Sequence, residues 1–158
     1  MIVDVGTRLA IEDLFARYAH TIDDDRLEEW PALFTEDCLY QVISAENWAL
    51  KRPIGLIHCD NRAMLQDRVT SLREANIYEA QSYRHMLSAT LVTHFHREEA
   101  RVVSNYQVTR IMQDGSTLLF SCGRYLDRIR FTKAGPLFAE RVVVYDNRRV
   151  DTLLAIPL

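Results

Sequence analysis

The second half of the chain constrains its fold most. From Arg84 to Arg149, four long runs rich in β-branched and aromatic residues follow one another, at about 84–97, 101–113, 117–131 and 138–149. Asp114-Gly115 and Lys133-Ala134-Gly135-Pro136 supply turn chemistry between them. A parallel return would need a crossover of a dozen or more residues, so strands joined by such short turns pair antiparallel. The pattern predicts a meander.

The first half reads differently. Thr7 to Ile22 places Leu9, Ile11, Leu14, Phe15, Tyr18, Ala19 and Ile22 near the 3.6-residue period, with Thr7 able to cap the start. Asp23-Asp24-Asp25 breaks that helix, and Asp24 or Asp25 can cap a short second one through Leu33. Asp37 to Trp48 reads as strand, and Asn61 to Arg73 as a third helix with Met64, Leu65, Val69 and Leu72 on one face. Helices first and strands later predict an α+β fold, with three N-terminal-half helices packed on one face of a curved, mostly antiparallel sheet. Curvature of that kind needs bulges or glycines. Gly123, inside the run 117–131, is the candidate for such a bend, or else a small residue allowing close packing.

No linker, repeat or low-complexity stretch divides the 158 residues, so residues 1–158 are expected to form a single domain. With 48% apolar and 26% charged residues there is material for a core that buries roughly two thirds of the unfolded surface. A net charge of −3 gives no bulk attraction to nucleic acid or to an anionic membrane. The arginines at 128, 130, 148 and 149 have no interleaved aromatic stripe. There is no apolar run of 18 residues and no basic region followed by an apolar core near Met1. Cys38, Cys59 and Cys122 are odd in number and far apart, which suits free thiols in a reducing cytoplasm.

Two groups of residues could carry chemistry. His94 and His96 share one face of a strand, and Glu98 would extend that face, so they could reach one metal. A polar strand end running into Arg97-Glu98-Glu99 is the better explanation, since it needs no further assumption while a metal would need another ligand from elsewhere in the chain. The second group is acid–base: His85 as proton carrier, with Tyr18, Tyr40 and Asp127 as possible donors or partner carboxylate. Asp23-Asp24-Asp25 lacks the spaced ligands and glycine of a calcium loop and reads as a helix cap and solvated turn.

Leu72 to His85, Leu-Arg-Glu-Ala-Asn-Ile-Tyr-Glu-Ala-Gln-Ser-Tyr-Arg-His, resembles the small (β) subunit of Rieske aromatic-ring-hydroxylating dioxygenases. Thr21 to Val42 (TIDDDRLEEWPALFTEDCLYQV), Ser121 to Asp127 (SCGRYLD) and Asp151 to Leu158 (DTLLAIPL) agree in order along nearly the whole chain. The likeness is to subunits that act with oxygenases for terephthalate, anthranilate, benzoate or salicylate. It implies the cone-shaped fold shared with nuclear transport factor, ketosteroid isomerase and scytalone dehydratase.

By that resemblance the chain is a non-catalytic structural subunit. It would form a homotrimer and carry three catalytic α subunits as an α3β3 hetero-hexamer. The Rieske [2Fe-2S] cluster and the mononuclear Fe(II) would lie in the α chain, with NAD(P)H supplying electrons through a reductase. The residues here agree: no cysteine sits in the Cys-x-His and Cys-x-x-His pairs such a cluster uses. No catalytic, cofactor-binding or metal-binding residue is therefore assigned to this chain. Arg73, Ile77, Tyr78, Tyr83 and Arg84, within a mixed-charge segment, are the candidates for a subunit interface. The apolar tail Thr152 to Leu158 is expected to be buried against its own sheet or a neighbour.

Two other functions fit the same fold: a free-standing dehydratase or isomerase using His85, and a small-ligand binding or cyclase domain. The enzyme reading requires His85, Tyr18 or Tyr40 and a carboxylate around one closed apolar pocket. The subunit reading expects a filled or shallow cone and large apolar and arginine-bearing contact surfaces around a threefold axis.

Overall fold

A computed structural model describes residues 3–75, 79–148, 150 and 154–158. Helix α1 (Val5–Asp23) leads through a 3-10 segment (Leu27–Leu33) into strand β1 (Phe34–Ser44). A five-residue helix α2 (Ala45–Ala49), a short strand β2 (Ile57–Cys59) and helix α3 (Arg62–Glu74) follow. The meander is β3 (Gln81–His96), β4 (Glu99–Met112), β5 (Thr117–Thr132) and β6 (Gly135–Tyr145). The six strands form one sheet in the order β2-β1-β6-β5-β4-β3. β1 and β6 run parallel and every other pair is antiparallel. The fold is α+β, as the run of helices before strands requires.

Helix α1 begins earlier than its apolar period suggests. The cap is Asp4, whose carboxylate accepts hydrogen bonds from Thr7 N at 2.9 Å and Thr7 Oγ1 at 2.6 Å. Thr7 is thus the capped residue and not the cap. Ile11, Leu14, Phe15, Tyr18 and Ile22 are buried. Leu9 is 64% exposed: at 100° per residue it points away from the stripe that those five share.

The aspartate cluster does not start the second helix. Asp24 closes α1, and the 3-10 segment begins at Leu27, with Arg26 in the cap position making no side-chain capping hydrogen bond. Asp25 has φ 57°, and its carboxylate is spent on Arg73. The first strand also ends sooner than Trp48, because Ser44 turns the chain into α2 by accepting a hydrogen bond from Asn47 N at 3.1 Å.

Curvature comes from register slips and not from Gly123. β3 slips against β4 between Ser88 and Leu91 and again between Val92 and His94. β4 slips against β5 between Val108 and Thr109, and β5 against β6 between Arg128 and Ile129. Such bulges bend a strand and add twist. Gly123 lies in unbroken register opposite Tyr145. A Cβ there would stand 2.0 Å from Val144 O, so the position requires glycine for close backbone approach.

One apolar core fills the space between α1, the 3-10 segment, α3 and the inner face of the sheet. Trp30 is fully buried there, edge-on to Tyr40 and Phe34 at ring distances of 5.1 and 5.6 Å. Among the described residues no helix is long and apolar enough to cross a membrane.

Candidate functional site

The interior of the curved sheet is where a fold of this shape has room for chemistry, and all four acid–base candidates are used there as structure. Tyr18 from α1 and Tyr40 from β1 both donate to the main-chain oxygen of Leu158, at 2.6 and 3.1 Å. Leu158 N donates back to Tyr40 Oη at 3.1 Å. Both tyrosines and Leu158 have no measurable exposure. Burial pushes the Tyr18 and Tyr40 hydroxyls above the usual phenol range. They are neutral donors, fixed on the tail.

Asp127 on β5 stands opposite Arg141 on β6. Arg141 Nε and Nη2 donate to Asp127 Oδ1 and Oδ2, each at 2.8 Å, with both side chains fully buried. The guanidinium carbon lies 4.0–4.9 Å from the ring centres of Phe15, Tyr18, Tyr125 and Phe138. Burial opposes the charge on Arg141, but Asp127 outweighs it and holds the guanidinium protonated. Asp127 is committed to that fork. A lone arginine among the valines of 138–145, next to a strand already known to carry Asp127, was the sequence signal for this pair.

His85, the proposed proton carrier, has a fully buried side chain. Its Nδ1 lies 2.6 Å from Asp23 Oδ1, and its main-chain N donates to Asp23 Oδ2 at 2.8 Å. The pair ties the last turn of α1 to β3. His85 meets Tyr18 edge-on at 6.4 Å. Tyr18 therefore adjoins His85, Arg141 and the tail together. The structure brings His85, Tyr18, Tyr40 and Asp127 into one interior, but side chains and the segment Leu154–Leu158 occupy the space between them.

The interface candidates divide. Arg73 donates to Glu28 at 2.7 and 3.1 Å and to the Asp25 carboxylate at 2.9 and 3.1 Å, joining α3 to the 3-10 segment. Tyr83 is 2% exposed and packs on Phe120, so it offers almost no surface to a neighbour. Arg84 is exposed, with its guanidinium 4.0 Å from Asp23. Ile77 and Tyr78 lie outside the described residues. Apolar surface that the sequence did not point out lies at Trp48, Leu50, Ile54 and Leu56, between β1 and β2.

The His94/His96 pair is at the end of β3, with ring centres 6.5 Å apart and both side chains exposed. Glu98 does not continue their face. The strand stops at His96, Arg97 takes φ 54°, and Glu98 belongs to the turn. Among the described residues no three His, Cys, Asp or Glu side chains are grouped as metal ligation needs. The cysteines are free thiols; burial pushes Cys38 up to about 11.

Comparison with known proteins gives one answer. The family described as ring hydroxylating beta subunit matches residues 17–152. The small subunit of anthranilate 1,2-dioxygenase from Burkholderia cepacia is 43% identical over 155 residues, covering 98% of this chain and 96% of that one. Subunit beta 1 of the terminal oxygenase component of terephthalate 1,2-dioxygenase from a Comamonas species is 40% identical over 143 residues, covering 90% and 93%. Among solved structures, one described as an aromatic-ring-hydroxylating dioxygenase beta subunit from Novosphingobium aromaticivorans superposes with a TM-score of 0.89. It is 37% identical and covers 98% of this chain and all of its own.

Proposed function

The chain belongs to the ring hydroxylating beta subunit family, and from that premise we propose that it is the non-catalytic scaffold of a dioxygenase acting on an aromatic acid. Three copies would form a ring that orients three α subunits in a cytoplasmic hetero-hexamer. The α chains would hold the Rieske [2Fe-2S] cluster and the mononuclear Fe(II), fed by NAD(P)H through a reductase. The aromatic acid is suggested by the names of the relatives, which act on anthranilate and terephthalate.

The observation that carries the scaffold role is the filled interior. Each group that could run acid–base chemistry is held by a partner it would have to release. Tyr18 and Tyr40 are bonded to Leu158, Asp127 is forked by Arg141, and His85 is bound to Asp23. A general base has to reach a substrate proton within hydrogen-bond distance, and among the described residues these four line none of the surface depressions. This favours the scaffold over the dehydratase, isomerase and cyclase readings.

The test is co-purification. Tagged chain is recovered from its own cells grown on aromatic acids, and the eluate is analysed by native mass spectrometry and for iron. The expected result is a stoichiometric larger subunit, a mass fitting three copies of each chain, and iron that is absent from the isolated chain. A partner-free chain that dehydrates or isomerises small carbonyl compounds would overturn the reading.

A further inference from the structure

Arg62, Arg73, Arg128, Arg130 and Arg141 each bond to a carboxylate. Arg68, half-buried on α3, meets only main-chain oxygens: its Nη2 donates to Leu154 O at 3.3 Å and to Ala155 O at 3.5 Å. Its buried Nε has no hydrogen-bond partner among the described residues. Contacts of that length to uncharged acceptors satisfy a guanidinium poorly. A carboxylate accepts from it at about 2.7–2.9 Å and roughly twice as strongly.

Arg68 stands in the wall of a surface depression of about 420 Å³, a size that suits a small organic molecule. Met64, Arg68 and Ser71 are spaced i, i+4 and i+7 on α3, so they line it from one helix face. β2 contributes His58 and Cys59, and the tail contributes Leu154. The cation is thus flanked by a hydroxyl and an imidazole, and by the apolar side chains of Met64 and Leu154. Burial raises the Cys59 thiol and the Arg68 charge opposes that rise, so the field of the guanidinium is felt at the wall. Asp67 shares the wall. It is exposed and forms no ion pair with Arg68, so solvent screening leaves it a small opposing effect on an anion.

We propose that this depression binds a small carboxylic acid as its anion, with the carboxylate on Arg68 and an apolar body against Met64 and Leu154. A neutral ligand would leave the guanidinium with its two long contacts to carbonyls. An inorganic anion would leave Met64, which is 37% exposed, uncovered. The site goes beyond the scaffold reading and does not depend on it. All of its residues belong to this chain, and Tyr18, Tyr40, His85 and Asp127 take no part in it.

The test is NMR titration of the unmodified full chain with benzoate, benzamide and acetate. Benzoate should bind saturably and shift the signals of Met64, Ser71 and Leu154 together. Benzamide keeps the ring and loses the charge, and should bind about tenfold more weakly, the strength of a hydrogen bond to a charged group. Acetate keeps the charge and loses the ring, and should bind about fivefold more weakly, the value of partly burying a ring. Arg68→Met should weaken benzoate binding about tenfold. Asp67→Asn, an exposed change, should tighten it about twofold. The proposal is overturned if benzamide or acetate binds as tightly as benzoate, if the shifted signals lie elsewhere, or if benzoate does not saturate. The three ligands on the unmodified chain decide the matter even if Arg68→Met does not fold. Selective benzoate binding by a chain that recruits no larger subunit would uphold the site while the scaffold reading fails.

Discussion

Asp127 and Arg141 face each other across β5 and β6, closed by two hydrogen bonds of 2.8 Å and sealed from water by four aromatic rings. A buried pair of this kind is costly to break from one side, because the remaining charge has no water to replace its partner.

Asp127→Asn should therefore destabilise the chain by about 3–5 kcal/mol. Replacing both members with apolar residues of similar volume should cost much less than that single change. Urea unfolding of the single and double variants compares the two. Equal losses would mean that the pair is not an isolated ionic unit.

Tyr40→Phe removes a hydroxyl that both donates to Leu158 O and accepts from Leu158 N. The loss leaves a buried N–H without a partner, and the cost should be about 1–3 kcal/mol. Tyr18→Phe removes one donor while Tyr40 still serves the same oxygen, and should cost less, about 1 kcal/mol. Thermal unfolding ranks the two; the reverse order would contradict the assigned geometry.

Asp23→Ala takes the acceptor from both His85 Nδ1 and His85 N. It should cost about 1–3 kcal/mol in stability. In a reconstituted oxygenase, the activity per assembled complex should stay within about twofold of the unmodified enzyme. A large drop in kcat with assembly intact would place His85 in the chemistry and sink the scaffold reading.

Stability should fall at both ends of the pH scale, for different residues. Hydrogen bonding from Arg73 lowers the Glu28 carboxyl below its ordinary value. Its contribution is present above the unfolded carboxylate value of about 4.3 and is lost as pH drops through the lower folded value. Burial raises Tyr18, Tyr40 and Tyr125 above the ordinary phenol value of about 10. Their contribution is complete below the unfolded value and disappears as pH rises toward the folded ones. Tyrosinate absorbance should thus appear together with loss of structure above about pH 10. In Arg73→Met the acid limb should shift to higher pH while the alkaline limb stays where it was.

Local signals carried much of the architecture. Asp114-Gly115 and Gly135 turn the meander, with Gly115 at φ 85° and Gly135 at φ 114°. The stripe Ile11, Leu14, Phe15, Tyr18 and Ile22 could only be one buried face of a helix. Boundaries were harder to read, since capping is decided by single contacts: Asp4 reaches Thr7 N, and Ser44 reaches Asn47 N. Gly123 was visible as special, but a bend and a close approach look the same in one strand. Only the neighbouring Val144 carbonyl separates them.

The sequence by itself determined the fold class, the succession of the long helices and strands, the apolar tail and the resemblance that names the family, because each is written in short-range pattern or contiguous motif; the short α2 and β2 between β1 and α3 were not legible in it. The tertiary structure alone decided what the polar residues do. Tyr18 and Leu158 are 140 positions apart, and His85 and Asp23 are 62 apart. Whether a tyrosine, a histidine or an aspartate serves chemistry or architecture depends on what fills the space beside it. That space is formed by parts of the chain whose meeting has no local signature.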